Sequence, residues 1–129
     1  MGLLRKTKER EPPPLEEWPK GTVELDVRSF REFVDRYPLV AVEFWASWCA
    51  PCKTMRPIVR DLAERYRGTI AIGKVNTGIH PNIARDLDVM TVPYIVFFSY
   101  GKRVDELRGK MSKRRLEGWF KNLAGKFGP

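Results

Sequence analysis

The chain has 129 residues, of which 43% are hydrophobic, and carries a formal net charge of +8 from 24 basic and 16 acidic side chains. This length suits one domain whose core needs no disulfide or structural metal to hold it together. No apolar run approaches the roughly 18 residues of a membrane-spanning helix, and no signal or transit sequence is recognisable, so we predict a soluble, cytoplasmic protein that does not contact membranes.

The first twenty residues are predicted to form a charged, proline-rich arm ahead of a domain that spans residues 21–129. Alternating charges are followed by three consecutive prolines at 12–14, which favour an extended polyproline backbone. Leu15 and Trp18 are the apolar exceptions in this arm. Because an exposed tryptophan without a ligand is a liability, we predict that both pack on the domain, with docking to a partner protein as the alternative.

A short first strand is predicted over residues 22–27, followed by a helix that ends before Pro38. Residues 39–46 read LVAVEFWA, an almost unbroken apolar run that is typical of a strand covered on both faces. Apolar residues then recur at helical spacing and predict a long helix: Met55, Ile58, Val59, Leu62, Ala63 and Tyr66.

The only two cysteines, Cys49 and Cys52, lie at this junction of strand and helix as a C-x-x-C motif. The unpaired N–H groups and partial positive charge of a helix start favour a thiolate, so Cys49, expected at the exposed end, is the predicted nucleophile. Cys52, one turn further in, would attack the resulting mixed disulfide. Two cysteines and the single His80 do not supply the four ligands of a structural zinc site, and no metal or other cofactor is predicted.

The rest of the chain continues the alternation of strands and helices. A third strand is predicted over residues 70–75, and a strand over 94–98 follows a short helix. A turn at residues 99–102 makes the last strand antiparallel to the one before it. Ser112 is predicted to cap a final helix with one apolar stripe that belongs to the core.

Residues 42–53, VEFWASWCAPCK, resemble the active site of thioredoxins, and the resemblance extends from about Val23 to the final helix. It implies the thioredoxin fold, an α/β fold in which helices flank both faces of a mixed central β-sheet. It also implies a monomeric protein-disulfide reductase that acts by thiol–disulfide exchange on client proteins, carries electrons from a thioredoxin-reductase-type donor, and maintains redox balance. Ala50 and Pro51, between the cysteines, resemble the reducing members of the family.

Glu43 lies within the predicted central strand, where burying a carboxylate costs several kcal/mol unless it is paired or protonated. One interpretation is that it pairs with Lys74 on the neighbouring strand and merely tolerates burial. The resemblance implies a catalytic role, because thioredoxins carry a buried acid here that helps to deprotonate the resolving cysteine. That acid is usually aspartate, and glutamate resembles the disulfide-isomerase branch, so an isomerase or oxidase is the alternative within the same chemistry. The predicted catalytic residues are Cys49, Cys52, Glu43 and Lys74.

Further residues are predicted to contact the substrate. Trp48 is expected at the surface beside the nucleophile, whereas Trp45 is expected to pack beneath the active-site loop as core. In thioredoxins the proline that matches Pro93 is cis and faces the cysteines, and the segment matching 91–92 offers main-chain groups to an extended substrate. Gly109 either gives a substrate backbone room, as in the family, or is a plain turn glycine. The predicted substrate-binding set is Trp48, Ala50, Pro51, Thr91, Val92, Pro93 and Gly109.

The basic charge is concentrated towards the end of the chain, where residues 99–129 hold nine bases and three acids. One interpretation is that these bases form a solvated face that keeps the protein soluble. The alternative is that they attract acidic clients or an acidic reductase and so raise the association rate. No pattern of aromatic and basic residues on strands supports a nucleic-acid partner. A last alternative is a redox-silent binding module that docks through Trp48, Pro93 and the basic helix, and that would survive a Cys49→Ser substitution.

Overall fold

The computed structural model describes residues 11–129, and what the sequence predicts for residues 1–10 lies outside it. One mixed five-stranded sheet, in the order β1-β3-β2-β4-β5, forms the centre. The strands are Val23–Glu24 (β1), Val40–Trp45 (β2), Ala71–Asn76 (β3), Tyr94–Ser99 (β4) and Lys102–Arg108 (β5). The helices are Phe30–Arg36 (α1), Ala50–Arg65 (α2), Pro81–Asp86 (α3) and Lys113–Phe127 (α4). As predicted, β4 and β5 are antiparallel, whereas β3 pairs in parallel with both β1 and β2.

The central strand β2 separates two apolar cores, which explains its unbroken apolar sequence. Val42 and its alternate neighbours pack with residues of α1 and α3, while Leu39 and Ala41 pack with residues of α2 and α4. Successive side chains of a strand point to opposite faces, so Glu43 shares the face of Ala41. The carboxylate of Glu43 therefore lies on the side of the sheet that α2 and α4 cover.

The first strand is shorter than the sequence predicts. The prediction of a strand over residues 22–27 is wrong, because β1 contains only Val23 and Glu24. Beyond it, one carboxylate oxygen of Asp26 accepts hydrogen bonds from the backbone N–H groups of Arg28 and Ser29 at 2.9 and 2.8 Å. This local turn redirects the chain towards α1, since such side-chain bonds compete with a sheet ladder.

The structure confirms that Trp18 packs on the domain. Its side chain is buried, its ring centroid lies 4.7 Å from that of Tyr37, and its indole N–H donates to the carbonyl of Pro13 at 2.9 Å. Arg67 adds hydrogen bonds to the carbonyls of Leu15 and Trp18. Leu15 itself, in a single 3-10 turn, remains 54% exposed, so the tryptophan makes most of the apolar contact.

The last helix begins where the sequence predicts. The hydroxyl oxygen of Ser112 accepts a hydrogen bond from the backbone N–H of Arg115 at 3.2 Å, which is the geometry of an N-cap. Leu116, Phe120 and Leu123 are buried against the sheet, which confirms the apolar stripe as core. Within residues 11–129, no helix is long and apolar enough to cross a membrane.

Candidate active site

The two cysteines lie where β2 gives way to α2, and they are joined by a disulfide with a Cα–Cα distance of 5.3 Å. Cys49 is the N-cap of α2, and its sulfur accepts a hydrogen bond from the backbone N–H of Cys52 at 3.2 Å. Pro51 occupies the first helical turn, where its missing N–H has no intrahelical partner to lose. In the reduced protein the same N–H group and the helix dipole would stabilise a thiolate on Cys49.

The nucleophile is less accessible than the sequence predicts. Cys49 is 3% exposed and Cys52 is 4% exposed, so the prediction of an exposed Cys49 is wrong for the disulfide form. The Cys49 sulfur turns inward to bond Cys52, and Ala46, Trp45 and Val92 pack against the pair. The neighbouring residues Ala50 and Pro51 are exposed and half-buried, respectively.

The loop before β4 adjoins the disulfide. The Val92–Pro93 peptide bond is cis, as the resemblance implies, and Val92 packs against the cysteines. The carbonyl of Pro93 accepts a hydrogen bond from the N–H of Gly109 at 2.8 Å. Gly109 has φ +78°, a backbone conformation that favours glycine, and a Cβ placed there would meet no atom within 4 Å. The backbone therefore accounts for this glycine, and the space in front of it is open.

An open groove lies beside the loop, and Trp48 is part of its lining. Trp48 is 76% exposed, which confirms its predicted place at the surface. The groove has a volume of ≈ 290 Å³, and its lining includes Trp48, Arg85, Met90, Thr91 and Val92. Met90 is 85% exposed, and we did not anticipate it from the sequence. The signal available was a large apolar side chain placed directly before the loop that carries the cis proline.

Trp45 packs against the cysteine pair, whereas His80 lies just before α3. Trp45 is half-buried rather than fully core, because its indole N–H reaches out to a carboxylate oxygen of Glu24 at 3.2 Å. His80 precedes α3 and lines a second depression, which Trp45, Glu24 and Asp26 also border. No arrangement of His80 with Cys49 that would suit a cysteine hydrolase is present among these contacts.

Glu43 is a buried acid that lies beside the ammonium group of Lys74. Its residue is 2% exposed, and its Oε1 lies 3.9 Å from Nζ of Lys74, which is itself buried. Its Oε2 has no hydrogen-bond partner among the described residues. Burial raises the pKa of Glu43 to about 7, against the opposing charge of Lys74. The carboxyl group can therefore hold or release a proton near neutral pH.

A second cation also acts on Glu43. The positive charge of Arg56, which lies on α2, opposes the rise in the pKa of Glu43 that burial causes. Glu43 lies on the face of β2 that α2 covers, and Trp45, two residues further along the same face, packs against Cys49 and Cys52. The buried acid and the cysteine pair therefore lie on the same side of the sheet.

Comparisons with known proteins agree with this geometry. The family model described as thioredoxin matches residues 21–122. A chloroplastic M-type thioredoxin from Spinacia oleracea is 37% identical over 98 residues, which cover 75% of this chain and 54% of that protein. A thioredoxin from Synechocystis sp. is 35% identical over 97 residues, which cover 74% of this chain and 91% of that protein.

A solved structure shows the same fold. A mutant thioredoxin from Halobacterium salinarum superposes with a TM-score of 0.75 at 24% identity, covering 81% of this chain and 92% of that one. The predicted thioredoxin fold is thereby confirmed. The chain belongs to the thioredoxin family, and its Cys49–Cys52 pair makes it a thiol–disulfide oxidoreductase.

Proposed function

We propose that this protein reduces disulfides of client proteins in the cytoplasm as a monomer and is itself reduced by a thioredoxin-reductase-type donor. The observation that carries the proposal is the sulfur of Cys49 at the N-cap of α2, beside the loop of Pro93. Ala50 and Pro51 between the cysteines favour the reducing direction. With only two cysteines in the chain, the electrons for each turnover must come from a separate donor.

The reaction has two exchange steps. The Cys49 thiolate attacks one sulfur of the client disulfide, a bond forms between Cys49 and that sulfur, and the other client sulfur leaves as a thiolate that takes up a proton. The Cys52 thiolate then attacks the Cys49 sulfur and expels the second client sulfur. Two electrons have passed to the client, and the Cys49–Cys52 disulfide awaits reduction by the donor.

We assign Glu43 as the proton acceptor in the second step. The resolving thiol of Cys52 must lose a proton before it can attack, and an acceptor is most effective when its own pKa lies near the working pH. Glu43 meets this condition and lies on the face of the sheet that α2, the helix of Cys52, covers. Lys74 is the cation that keeps part of the Glu43 population ionised.

The client binds in this proposal along the groove beside Pro93. Thr91 and Val92, which line the groove, offer main-chain groups to an extended client segment, and Gly109, bonded to Pro93, has open space in front of it. Trp48 and Met90, both exposed, supply apolar contacts in the lining of the groove. The groove would therefore recognise the side chains around a client cysteine mainly through apolar contacts.

Basic side chains near the loop of Pro93 suit acidic partners. Arg108 and Lys110 flank Gly109, which is bonded to Pro93, and Lys113 and Arg114 follow at the start of α4. All four of these bases are exposed. Because a cluster of one sign raises the association rate of oppositely charged partners, we expect acidic clients or an acidic reductase to be favoured.

We expect the reduction rates of a charged protein and of a neutral small disulfide to respond differently to salt. With dithiothreitol as electron donor, the protein should accelerate reduction of insulin, an anionic protein, and of hydroxyethyl disulfide, a small neutral molecule. The insulin rate should fall by about 10-fold between low and high salt, because screening removes the steering, while the rate for the neutral disulfide stays level. The measurement is the initial rate of each reaction over a salt series.

A pair of matched variants locates the effect. Lys110→Gln with Lys113→Gln should lower the insulin rate and flatten its salt dependence. Lys121→Gln with Lys126→Gln removes the same charge from exposed positions further along α4. This variant should keep the wild-type insulin rate and its salt dependence. Failure to accelerate either disulfide would contradict the reductase, whereas equal salt responses of the two variants would contradict only the steering.

A further inference from the structure

Three charged side chains form a row across the sheet, on the face covered by α2 and α4. The strand register pairs Glu24 of β1 with Lys74 of β3, and Lys74 with Glu43 of β2. Nζ of Lys74 lies 3.9 Å from Oε2 of Glu24 and 3.9 Å from Oε1 of Glu43. The Glu24 side chain is 57% exposed, that of Lys74 10% and that of Glu43 2%. One ammonium group thus connects a buried acid with an acid at the surface.

Glu24 also holds the aromatic ring beside this ammonium group. Its Oε1 accepts the hydrogen bond from the indole N–H of Trp45 at 3.2 Å. Nζ of Lys74 lies 4.9 Å from the centroid of the Trp45 ring, within the range of a cation–π contact. Trp45 in turn packs against Cys49 and Cys52. Both carboxylate oxygens of Glu24 are therefore engaged with groups that border the active site.

We propose that Glu24 is a positioning residue for the exchange reaction: it shares the Lys74 ammonium with Glu43, holds Trp45 in place, and thereby controls how readily Glu43 gives up its proton. This inference deepens the proposed function and rests on Glu43 as the proton acceptor for Cys52. An isolated exposed ion pair contributes little to stability. Here the pair shares its cation with a buried acid, so its effect falls on the protonation of that acid.

The sign of the effect follows from the charges that act on Glu43. Lys74 from β3 and Arg56 from α2 favour the ionised form of Glu43, whereas Glu24 from β1 opposes it. The antiparallel neighbour on β4, Ile95, is apolar. Removing the negative charge of Glu24 leaves the Lys74 ammonium to Glu43 alone, which lowers the pKa of Glu43.

The test compares Glu24→Gln with Glu64→Gln. The amide of Glu24→Gln keeps an oxygen that can accept the Trp45 hydrogen bond but loses the charge, and Glu64 is an exposed carboxylate on α2 that serves as the matched control. The pKa of Glu43 would be read from its carboxyl carbon by NMR titration. We expect a fall of roughly half a unit in Glu24→Gln, since a nearby like charge has been removed, and no change in Glu64→Gln.

A kinetic readout separates this inference from the role of Glu43. The pH profile for release of a client from its mixed disulfide with Cys49 should shift to lower pH with the titration, giving about a threefold faster release on the acid side. An unmoved Glu43 titration in Glu24→Gln would overturn the inference. A titration that moves without any change in the kinetic profile would instead overturn the assignment of Glu43 as the acceptor while leaving its coupling to Glu24 intact.

Discussion

Cys49→Ser is expected to abolish disulfide reduction, with a rate loss of about 10⁴-fold or more, because a serine hydroxyl is not ionised at neutral pH and forms no disulfide. Cys52→Ser should behave differently. Its Cys49 can still attack a client, but the second step is lost, so the mixed disulfide accumulates and is detected by mass spectrometry of the intact complex. Both variants should stay folded, since the two large apolar cores on either side of the sheet contain no cysteine.

The pair of variants also tests the order of the two steps. If Cys52→Ser turned over clients and Cys49→Ser trapped them, the roles of the cysteines would be reversed. Retention of full client binding and biological activity by Cys49→Ser would support the binding module, in which the thiols are incidental. Thermal unfolding of each variant is the control that its loss of activity is not a loss of fold.

Glu43→Gln is expected to slow the second exchange step by about 100-fold, because an amide cannot accept the proton of the Cys52 thiol. Formation of the mixed disulfide at Cys49 should proceed at the wild-type rate. Rapid-mixing measurements of a single turnover resolve the two steps. Unchanged release of the client from Glu43→Gln would leave the buried acid without a catalytic role.

The same substitution should change stability in a direction set by pH. Burial raises the pKa of Glu43 from 4.5 to about 7, so between these values the folded protein binds a proton that the unfolded chain does not. Stability therefore falls as the pH rises through this window, and the ionised buried group costs about 3 kcal/mol above it. Glu43→Gln lacks that cost, so it should be the more stable protein at about pH 8 and lose the advantage below about pH 4.5.

Urea unfolding of the oxidised wild type and of Glu43→Gln at both pH values measures this difference. A pH-independent difference would mean that the carboxyl group titrates alike in the folded and unfolded chains. The two expected effects of Glu43→Gln are opposite in sign. The substitution slows release of the client, and it stabilises the fold at a pH at which Glu43 is ionised. A residue kept at such a cost is best explained by the reaction that it serves.

The sequence predicted the parts of the fold that depend on local pattern. The apolar run of β2, the helical spacing after Cys52 and the Ser112 cap each dictate an element through its own residues. The length of β1 was wrong because it depends on the Asp26 turn, where side-chain hydrogen bonds compete with strand pairing.

The site was predicted as far as the family motif reaches. The cis bond before Pro93 followed from the resemblance, and the exposure of Trp48 followed from its place beside the nucleophile. The burial of Cys49 did not, because it depends on the disulfide to Cys52 and on packing that includes Val92, which is distant in the chain. Glu24 also escaped notice, since only the parallel register of β1 and β3 brings an ordinary surface acid to Lys74.

The equilibrium redox potential of the Cys49–Cys52 pair tests the central claim most directly. Titration against a dithiothreitol or glutathione series, with the disulfide fraction read by thiol labelling, gives the potential. We expect a value near ~−270 mV, which is the value already known for thioredoxin itself and marks a reductase. A potential of about −180 to −120 mV would contradict the reductase and place the protein among the isomerases or oxidants.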